Sequence, residues 1–323
     1  MSYITSMKNL RETILEYGVA IIPSVLNDVE CESIVNGLWD YFEHITKEWP
    51  VPINRESRNT WREIYKLLPL HSMLFQHFNS GHAQISWDIR QNLKIIEIFA
   101  HFWDVSPDEL LVSFDGFSFN IPPEFTNRGW NRGNTWFHTD QSYSKKEFRC
   151  VQSWVTGLDV NEGDATLSFM EKSNIYHKEF REWKESKGET IDKKDWYKLN
   201  RDEEEFYLAK GCTYQKIVCP KGSLVLWDSR TIHCGSEVMR GRETPNFRAI
   251  IYLCYLPRSL FSKKDIKKRI EAYLKLRATN HWGTKLFAEN PRIYANCTLP
   301  TITSIPAPTI TDIGRQLIGY RVI

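Results

Sequence analysis

Near residue 110 the hydrophobic pattern of this 323-residue chain changes period, and that change divides it into a helical and a stranded part. Before it, Ile85, Ile89, Leu93, Ile96 and Ala100 recur in steps of three and four, which predicts a helix over 84–101. An amphipathic helix over 7–17, the apolar strand Val19-Ala20-Ile21-Ile22-Pro23 and a long helix over 29–45 precede it, with Asn27-Asp28-Val29-Glu30 as capping signal. Ser106-Pro107-Asp108-Glu109 starts a short helix. After it, residues 111–120, 151–160, 165–171, 215–219, 223–227 and 247–255 are short, rich in β-branched and aromatic residues, and read as six strands. Pro220-Lys221-Gly222 makes a tight turn between two of them, with Gly222 supplying a positive φ.

The predicted fold class is α+β, mainly β: a two-sheet jelly roll over 111–256, buttressed by helices in 1–110 and 257–323. A charged stretch over 172–212, holding Trp183, Trp196, Tyr197 and Phe206, reads as a helical insertion. Ser262-Lys263-Lys264-Asp265 opens a basic helix reaching Arg277, and the Pro- and Thr-rich tail 298–311 is expected to run extended. No internal repeat or linker forces a boundary, so one catalytic domain spanning 1–323 is expected.

Forty-two Lys plus Arg against 40 Asp plus Glu leave a net charge of +2, so nucleic acid is not the default partner. A content of 41% hydrophobic and 25% charged residues excludes disorder. The seven cysteines are scattered without a C-x-x-C pair, which predicts reduced thiols rather than disulfides or a zinc knuckle. No signal peptide or membrane span is read, and Arg321-Val322-Ile323 does not match a Ser-Lys-Leu peroxisomal address. A soluble cytoplasmic enzyme or binding protein is expected.

Of the nine histidines only His138 is followed two positions later by Asp, as His138-Thr139-Asp140. On an extended segment i and i+2 face one side, so the pair can chelate one ion. His177-Lys178-Glu179 falls in the stretch read as helical, where i and i+2 diverge. A second histidine, His233, ends the segment Gly222-Ser223-Leu224-Val225-Leu226-Trp227-Asp228-Ser229-Arg230-Thr231-Ile232-His233, and Asn246-Phe247-Arg248 opens the final apolar strand. Two histidines and a carboxylate would hold Fe(II) on one face and leave positions open for cosubstrate and oxygen. An Arg opening an apolar strand needs a partner, and the distal carboxylate of 2-oxoglutarate suits its bidentate fork. Taken singly, His233 reads better as a hydrogen-bonded core histidine and Arg248 as a structural salt bridge.

Together and in this order, these residues resemble the phytanoyl-CoA dioxygenase-like family of Fe(II)/2-oxoglutarate-dependent oxygenases. The likeness rests on the H-x-D pair, the G-x-L-x-L-W-D-x-R-x-x-H segment, the following Arg, and Gly18-Val19-Ala20-Ile21-Ile22-Pro23-Ser24-Val25-Leu26 near the N-terminus. Gly163-Asp164-Ala165-Thr166-Leu167 is a further echo, although Lys172-Ser173-Asn174 replaces the family's usual P-G-S-H stretch. The match spans roughly residues 10 to 256. It implies that His138, Asp140 and His233 bind Fe(II), that 2-oxoglutarate and O2 are cosubstrates giving succinate and CO2, and that Arg248 pairs with the far carboxylate of 2-oxoglutarate. The interval from His233 to Arg248 exceeds the family's usual one, so Arg242 is a rival anchor. Asn120, Trp154 and Ser236 are further candidates for the cosubstrate pocket. Retention of Asp140, where halogenases of the superfamily carry Gly or Ala, points to hydroxylation.

The expected substrate is a small organic molecule, anionic or planar in view of Arg128, Trp130, Arg132 and Trp136 just before the metal pair. An oxygenase acting on nucleic acid or protein, a catalytically silent barrel, and a cupin-like metalloprotein without 2-oxoglutarate are the alternatives.

Overall fold

The computed structural model describes residues 3–68, 74–127, 129, 135–286 and 298–321. Twelve strands occur among them: β1 (Val19–Ile22), β2 (Leu110–Val112), β3 (Phe117–Asn120), β4 (His138–Thr139), β5 (Val151–Thr156), β6 (Thr166–Met170), β7 (Tyr197–Lys198), β8 (Tyr214–Lys216), β9 (Leu224–Asp228), β10 (His233–Ser236), β11 (Arg248–Leu253) and β12 (Tyr255–Pro257). One antiparallel sheet has the order β1-β9-β5-β11-β3, a second β7-β4-β10-β6-β8, and β12 pairs with β2.

The alternation of side chains explains how the first sheet is covered on both faces. Val225 and Trp227 of β9, with Trp154 and Ile250, pack on Leu167, Phe169 and Ile217 of the second sheet. Leu224 and Leu226, with Val151, Val155, Ala249 and Ile251, face a larger core built with the helices Asp28–Ile45, Gln84–Arg90 and Leu93–Trp103. Every residue of β1, β5 and β9 is consequently buried. Asn27 caps the first of these helices, its side chain accepting from Glu30 N while Glu30 accepts from Asn27 N.

The departures from the expected elements have local causes. The helix expected over 84–101 is two helices, because Asn92 accepts from Lys94 N and starts a new one. The strand expected over 111–120 is broken between β2 and β3, where the backbone of Phe75 passes so close to Gly116 that a Cβ there would lie 1.5 Å from the Phe75 carbonyl oxygen. The charged stretch forms helices His177–Ser186 and Arg201–Ala209, and it also contributes β7 as an edge strand of the second sheet. Phe180, Leu199 and Tyr207 from this stretch cover the outer side of that sheet at Phe137, Met170 and Cys234.

The tail does run without regular structure over 298–311, tied down where Trp49 Nε1 donates to Thr301 O at 3.1 Å and Thr303 N to Ile45 O at 2.9 Å. It then forms a further helix, Asp312–Ile318, that buries Leu317 and Ile318. The basic helix is Lys263–Leu274, and its Arg269 turns inward to donate to the carbonyls of Val112 and Leu317. Six cysteines are free and buried, and no helix among the described residues is long and apolar enough to cross a membrane.

Three buried histidines give the fold an acid limit. His82 accepts from Trp87 Nε1 at Nδ1 and donates from Nε2 to Arg277 O, a network that only the neutral ring satisfies. Burial pushes His82 down to about 3, and His138 and His177 to about 4, from an ordinary 6.5. The unfolded chain therefore binds protons that the folded chain refuses as pH falls below 6.5. Stability should be fully present above that value and decline on acidification by up to about 1.4 kcal/mol per pH unit for each histidine. Denaturant midpoints measured between about pH 7 and about pH 5 check this, and an unchanged midpoint contradicts it.

Candidate metal centre

The site is assembled by β4, β10 and the turn that feeds β10. His138 and His233 are direct cross-strand partners, so their side chains share a face, with ring centroids 4.4 Å apart. Asp140, just past β4, is fixed because its own N–H and that of Gln141 both donate to Ser229 O. The turn between β9 and β10 is held in place from several sides. Arg230 pairs with Asp228 at 2.6 Å, Thr231 Oγ1 donates to Gly18 O at 2.8 Å, and Ile232 N donates to Ser173 Oγ at 2.9 Å. The N-terminal segment thus buttresses the site: Gly18, at φ +81°, ends the preceding helix and leads into β1, which pairs with β9, and Val25 and Leu26 donate to the carbonyl of Gly222. Gly222 has the expected positive φ of +75°, and a Cβ there would meet Leu26 O at 2.3 Å.

Both histidines are pinned in one tautomer. Nδ1 of His138 donates to Trp136 O at 3.2 Å and Nδ1 of His233 to Thr231 O at 2.9 Å; a carbonyl can only accept, so in the neutral ring each Nε2 carries the lone pair. These Nε2 atoms lie 3.6 and 3.2 Å from the two oxygens of Asp140. One ligand atom from each residue falls within 4.8 Å of the others. All three residues are buried at 5–9% exposure. Burial and the neighbouring His233 press His138 down to about 4, so the ring is neutral at ordinary pH. Burial opposes ionisation of Asp140, but the fields of His281, His138 and His233 outweigh it and hold the carboxyl well below its usual range. Two imidazole nitrogens and a carboxylate converge on one point. Such a set suits a divalent cation of the Fe(II) type and leaves one face open.

Sequence reasoning does not assign the neighbours that orient this set: nothing singles out Gln152, and Trp136 and Trp196 read only as a mouth residue and part of the insertion. Gln152 Nε2 donates to Asp140 Oδ2 at 2.9 Å, Trp136 stacks on His138 at 4.7 Å, and Trp196 of the insertion lies 5.7 Å from the same ring. Replacing Gln152 with Leu should weaken metal affinity by roughly 10- to 100-fold, the cost of losing an outer-sphere partner. Anaerobic metal titration checks it, and unaltered affinity would remove Gln152 from the support of the site.

The triad opens on a cavity of about 2560 Å³. Arg248 lines it at the start of β11, directly opposite Asn120 of β3. It is 5% exposed, Nη1 donates to Ala165 O at 2.7 Å, Nε is buried without a partner, and among the described residues no carboxylate lies within ion-pair distance. Asn120 Oδ1 is likewise buried and unpartnered in the cavity wall, and Ser236 lines the cavity with its hydroxyl hydrogen-bonded to that of Ser168. Trp154 is displaced from its expected place: it does not line the cavity but lies in the inter-sheet core, its ring 5.7 Å from the Arg248 guanidinium.

Arg242 is committed elsewhere, paired with Asp164 at 2.6 Å and Glu124 at 2.8 Å, and does not line the cavity. His177 is buried against Tyr143 at 4.4 Å, away from the triad. Of the loop expected at the cavity mouth, Arg128, Trp130 and Arg132 lie outside the described residues.

No family model matches the chain. Ava biosynthesis cluster protein O of Aspergillus versicolor is 24% identical over 253 residues, which are 74% of this chain and 77% of that protein. Among solved structures, a Salmonella typhimurium LT2 protein proposed to be an oxidoreductase aligns with a TM-score of 0.58 at 11% identity, covering 98% of this chain and 86% of that one. SnoK, a non-heme alpha ketoglutarate dependent carbocyclase from nogalamycin biosynthesis, aligns at 0.48 and 13% identity over 78% of this chain and 86% of its own. The Salmonella likeness is one of fold.

Proposed function

We propose that this chain is an Fe(II)- and 2-oxoglutarate-dependent dioxygenase that hydroxylates an unactivated C–H bond of a small organic molecule, releasing succinate and CO2. The observation that carries the reading is the meeting, in one cavity, of the His138–Asp140–His233 donor set and a buried cation, Arg248, without a counter-ion among the described residues. A 2-oxo dicarboxylate answers both needs, with one end for the metal and a distal carboxylate for Arg248. Asn120 lies opposite Arg248, Ser236 lines the same cavity, and Arg242, neutralised by Asp164 and Glu124, is not needed there.

We read the strands β3, β4, β5, β6, β8, β9, β10 and β11 as a double-stranded β-helix, since they divide between the two sheets in the orders β9-β5-β11-β3 and β4-β10-β6-β8. The whole chain is read as one catalytic domain, and its free thiols suit a reducing, cytoplasmic setting. The name of the Aspergillus relative, drawn from a biosynthesis cluster, supports a small-molecule substrate over nucleic acid or protein.

The iron would supply the oxidising chemistry; the chain's own groups position and exclude water. His138 and His233 present Nε2 because their Nδ1 protons are spent on carbonyls, and Gln152 holds the orientation of Asp140. Arg248 fixes the cosubstrate's far end. The cavity exceeds the roughly 300–1,000 Å³ of common small-molecule sites, leaving space for a second, larger molecule beside it. The test is anaerobic addition of Fe(II) and 2-oxoglutarate, followed by admission of oxygen. A visible charge-transfer band and iron-dependent succinate formation are expected. Iron binding without either leaves a metalloprotein of another kind, and no iron binding a silent barrel.

A further inference from the structure

The same cavity holds a second group of unsatisfied polar atoms that the metal and the cosubstrate do not use. Asp115 lies in the break between β2 and β3, 5% exposed, and lines the cavity. Its Oδ1 accepts from Gly116 N at 3.0 Å and Gln76 Nε2 at 3.2 Å. Its Oδ2 has no hydrogen-bond partner, and no cation pairs with it, among the described residues. The nearby Arg90 makes no ion pair with it, since both terminal nitrogens donate to backbone carbonyls, of Gly81 and of Asp115 itself; burial opposes ionisation of the carboxyl, while the fields of His281 and Arg90 favour it.

The segment after the basic helix completes the group. Thr279 N donates to Phe114 O at 3.1 Å and Phe114 N to Thr279 Oγ1 at 2.8 Å, which clamps His281 and Trp282 beside Asp115 in the cavity wall. His281 Nε2 and Trp282 Nε1 are both buried without partners. Around them Trp103, Phe148, Leu256 and Phe261 form an apolar wall.

We propose that Asp115, with the indole N–H of Trp282 beside it, is the subsite that seats a basic nitrogen of the primary substrate, an aromatic or amide-bearing amine whose rings lie on this apolar wall. An unpaired buried carboxylate recognises a cation that brings its own donors, and the indole N–H recognises an adjacent carbonyl or hydroxyl oxygen. The class differs from the anionic one suggested by Arg128 and Arg132, whose loop lies outside the described residues. The inference rests on the reading of the triad and Arg248 as the oxidising end of this cavity.

Calorimetric titration of the anaerobic Fe(II)·2-oxoglutarate enzyme with tryptamine, tyramine and tryptophan amide, each paired with its neutral N-acetyl derivative, tests it. At least one amine should bind about tenfold or more tightly than its neutral partner, and Asp115→Asn should erase that preference. Trp282→Phe, which keeps the ring and removes the donor, should weaken tryptophan amide but not tryptamine. Equal binding of charged and neutral partners, a preference surviving in a folded Asp115→Asn, or no binding up to about 10 mM overturns the proposal. If Asp115→Asn does not fold, Trp282→Phe decides: equal loss for both amines overturns the assignment. Amine selectivity in an enzyme that forms no 2-oxoglutarate band would defeat the functional reading and leave this subsite standing. A normal band without amine selectivity would do the reverse.

Discussion

Replacing Asp140 with Ala is expected to abolish Fe(II) binding and turnover while the fold survives. The carboxylate oxygens lie 3.6 and 3.2 Å from two imidazole nitrogens whose protons are on the far side of each ring. In the absence of a cation the carboxylate is a buried charge whose desolvation opposes its attraction to the neighbouring histidines, so removing it relieves the burial cost and gives up that attraction together. A further loss is the bond from Gln152, whose amide is then left buried, at about 1–3 kcal/mol. Apo stability should therefore move little. Loss of a ligand, by contrast, exceeds the roughly 10- to 100-fold cost of losing an outer partner, so metal affinity and turnover should fall by more than about a hundredfold. His138→Ala should behave alike. Thermal melts with and without Fe(II) separate the two effects, because a ligand that binds only the folded state raises its melting point. The wild type should show that rise and the Asp140→Ala variant none. Full turnover or an undiminished metal-induced rise in either variant would remove the triad from the site.

Much of this centre was legible because its signals are local. The H-x-D spacing works on any extended segment, and the segment from Gly222 to His233 carries its own strand pattern and turn. Gly222 declared a backbone turn, and the structure uses it to hold the N-terminal segment behind that turn. What escaped depends on long-range placement. Nothing local marks Gln152 as the partner of Asp140, since it alternates within an ordinary buried strand. The pattern over 111–120 reads as one continuous strand, and only the passage of Phe75 beside Gly116 breaks it and turns Asp115 into the cavity. The helix Asp312–Ile318 was hidden by its brevity and by Gly314, a poor helix former that sits where a side chain would strike Gln91. Trp154 was misplaced for the opposite reason: strand alternation shows that it points to one face, but not whether a cavity or a second sheet lies there. The choice between Arg248 and Arg242 likewise needed the carboxylates of Glu124 and Asp164, which reach Arg242 from distant segments.

That choice yields the second large effect, in which two similar substitutions move opposite observables. Arg248 is a buried cation with one hydrogen bond to a carbonyl and an unpartnered Nε. Burying an uncompensated charge costs several kcal/mol, so Arg248→Met should leave apo stability unchanged or raise it. Once the cosubstrate carboxylate is in place the same guanidinium becomes half of a buried, charge-assisted pair. Truncating one member of such a pair costs about 2–5 kcal/mol, so the 2-oxoglutarate requirement should rise by roughly 30- to several thousand-fold. Arg242→Met reverses both signs. It strips a buried carboxylate, Asp164 at 5% exposure, of its counter-ion, along with Glu124. Breaking a buried pair in this way costs about 3–5 kcal/mol of stability, while the 2-oxoglutarate requirement of the protein that remains folded should be unaltered. Denaturant unfolding and 2-oxoglutarate titration of the two variants read all four quantities. A raised requirement in Arg242→Met with an ordinary one in Arg248→Met would transfer the anchor to Arg242. Stability lost in Arg248→Met would mean that its guanidinium is already compensated within the protein and is not held in reserve for a ligand.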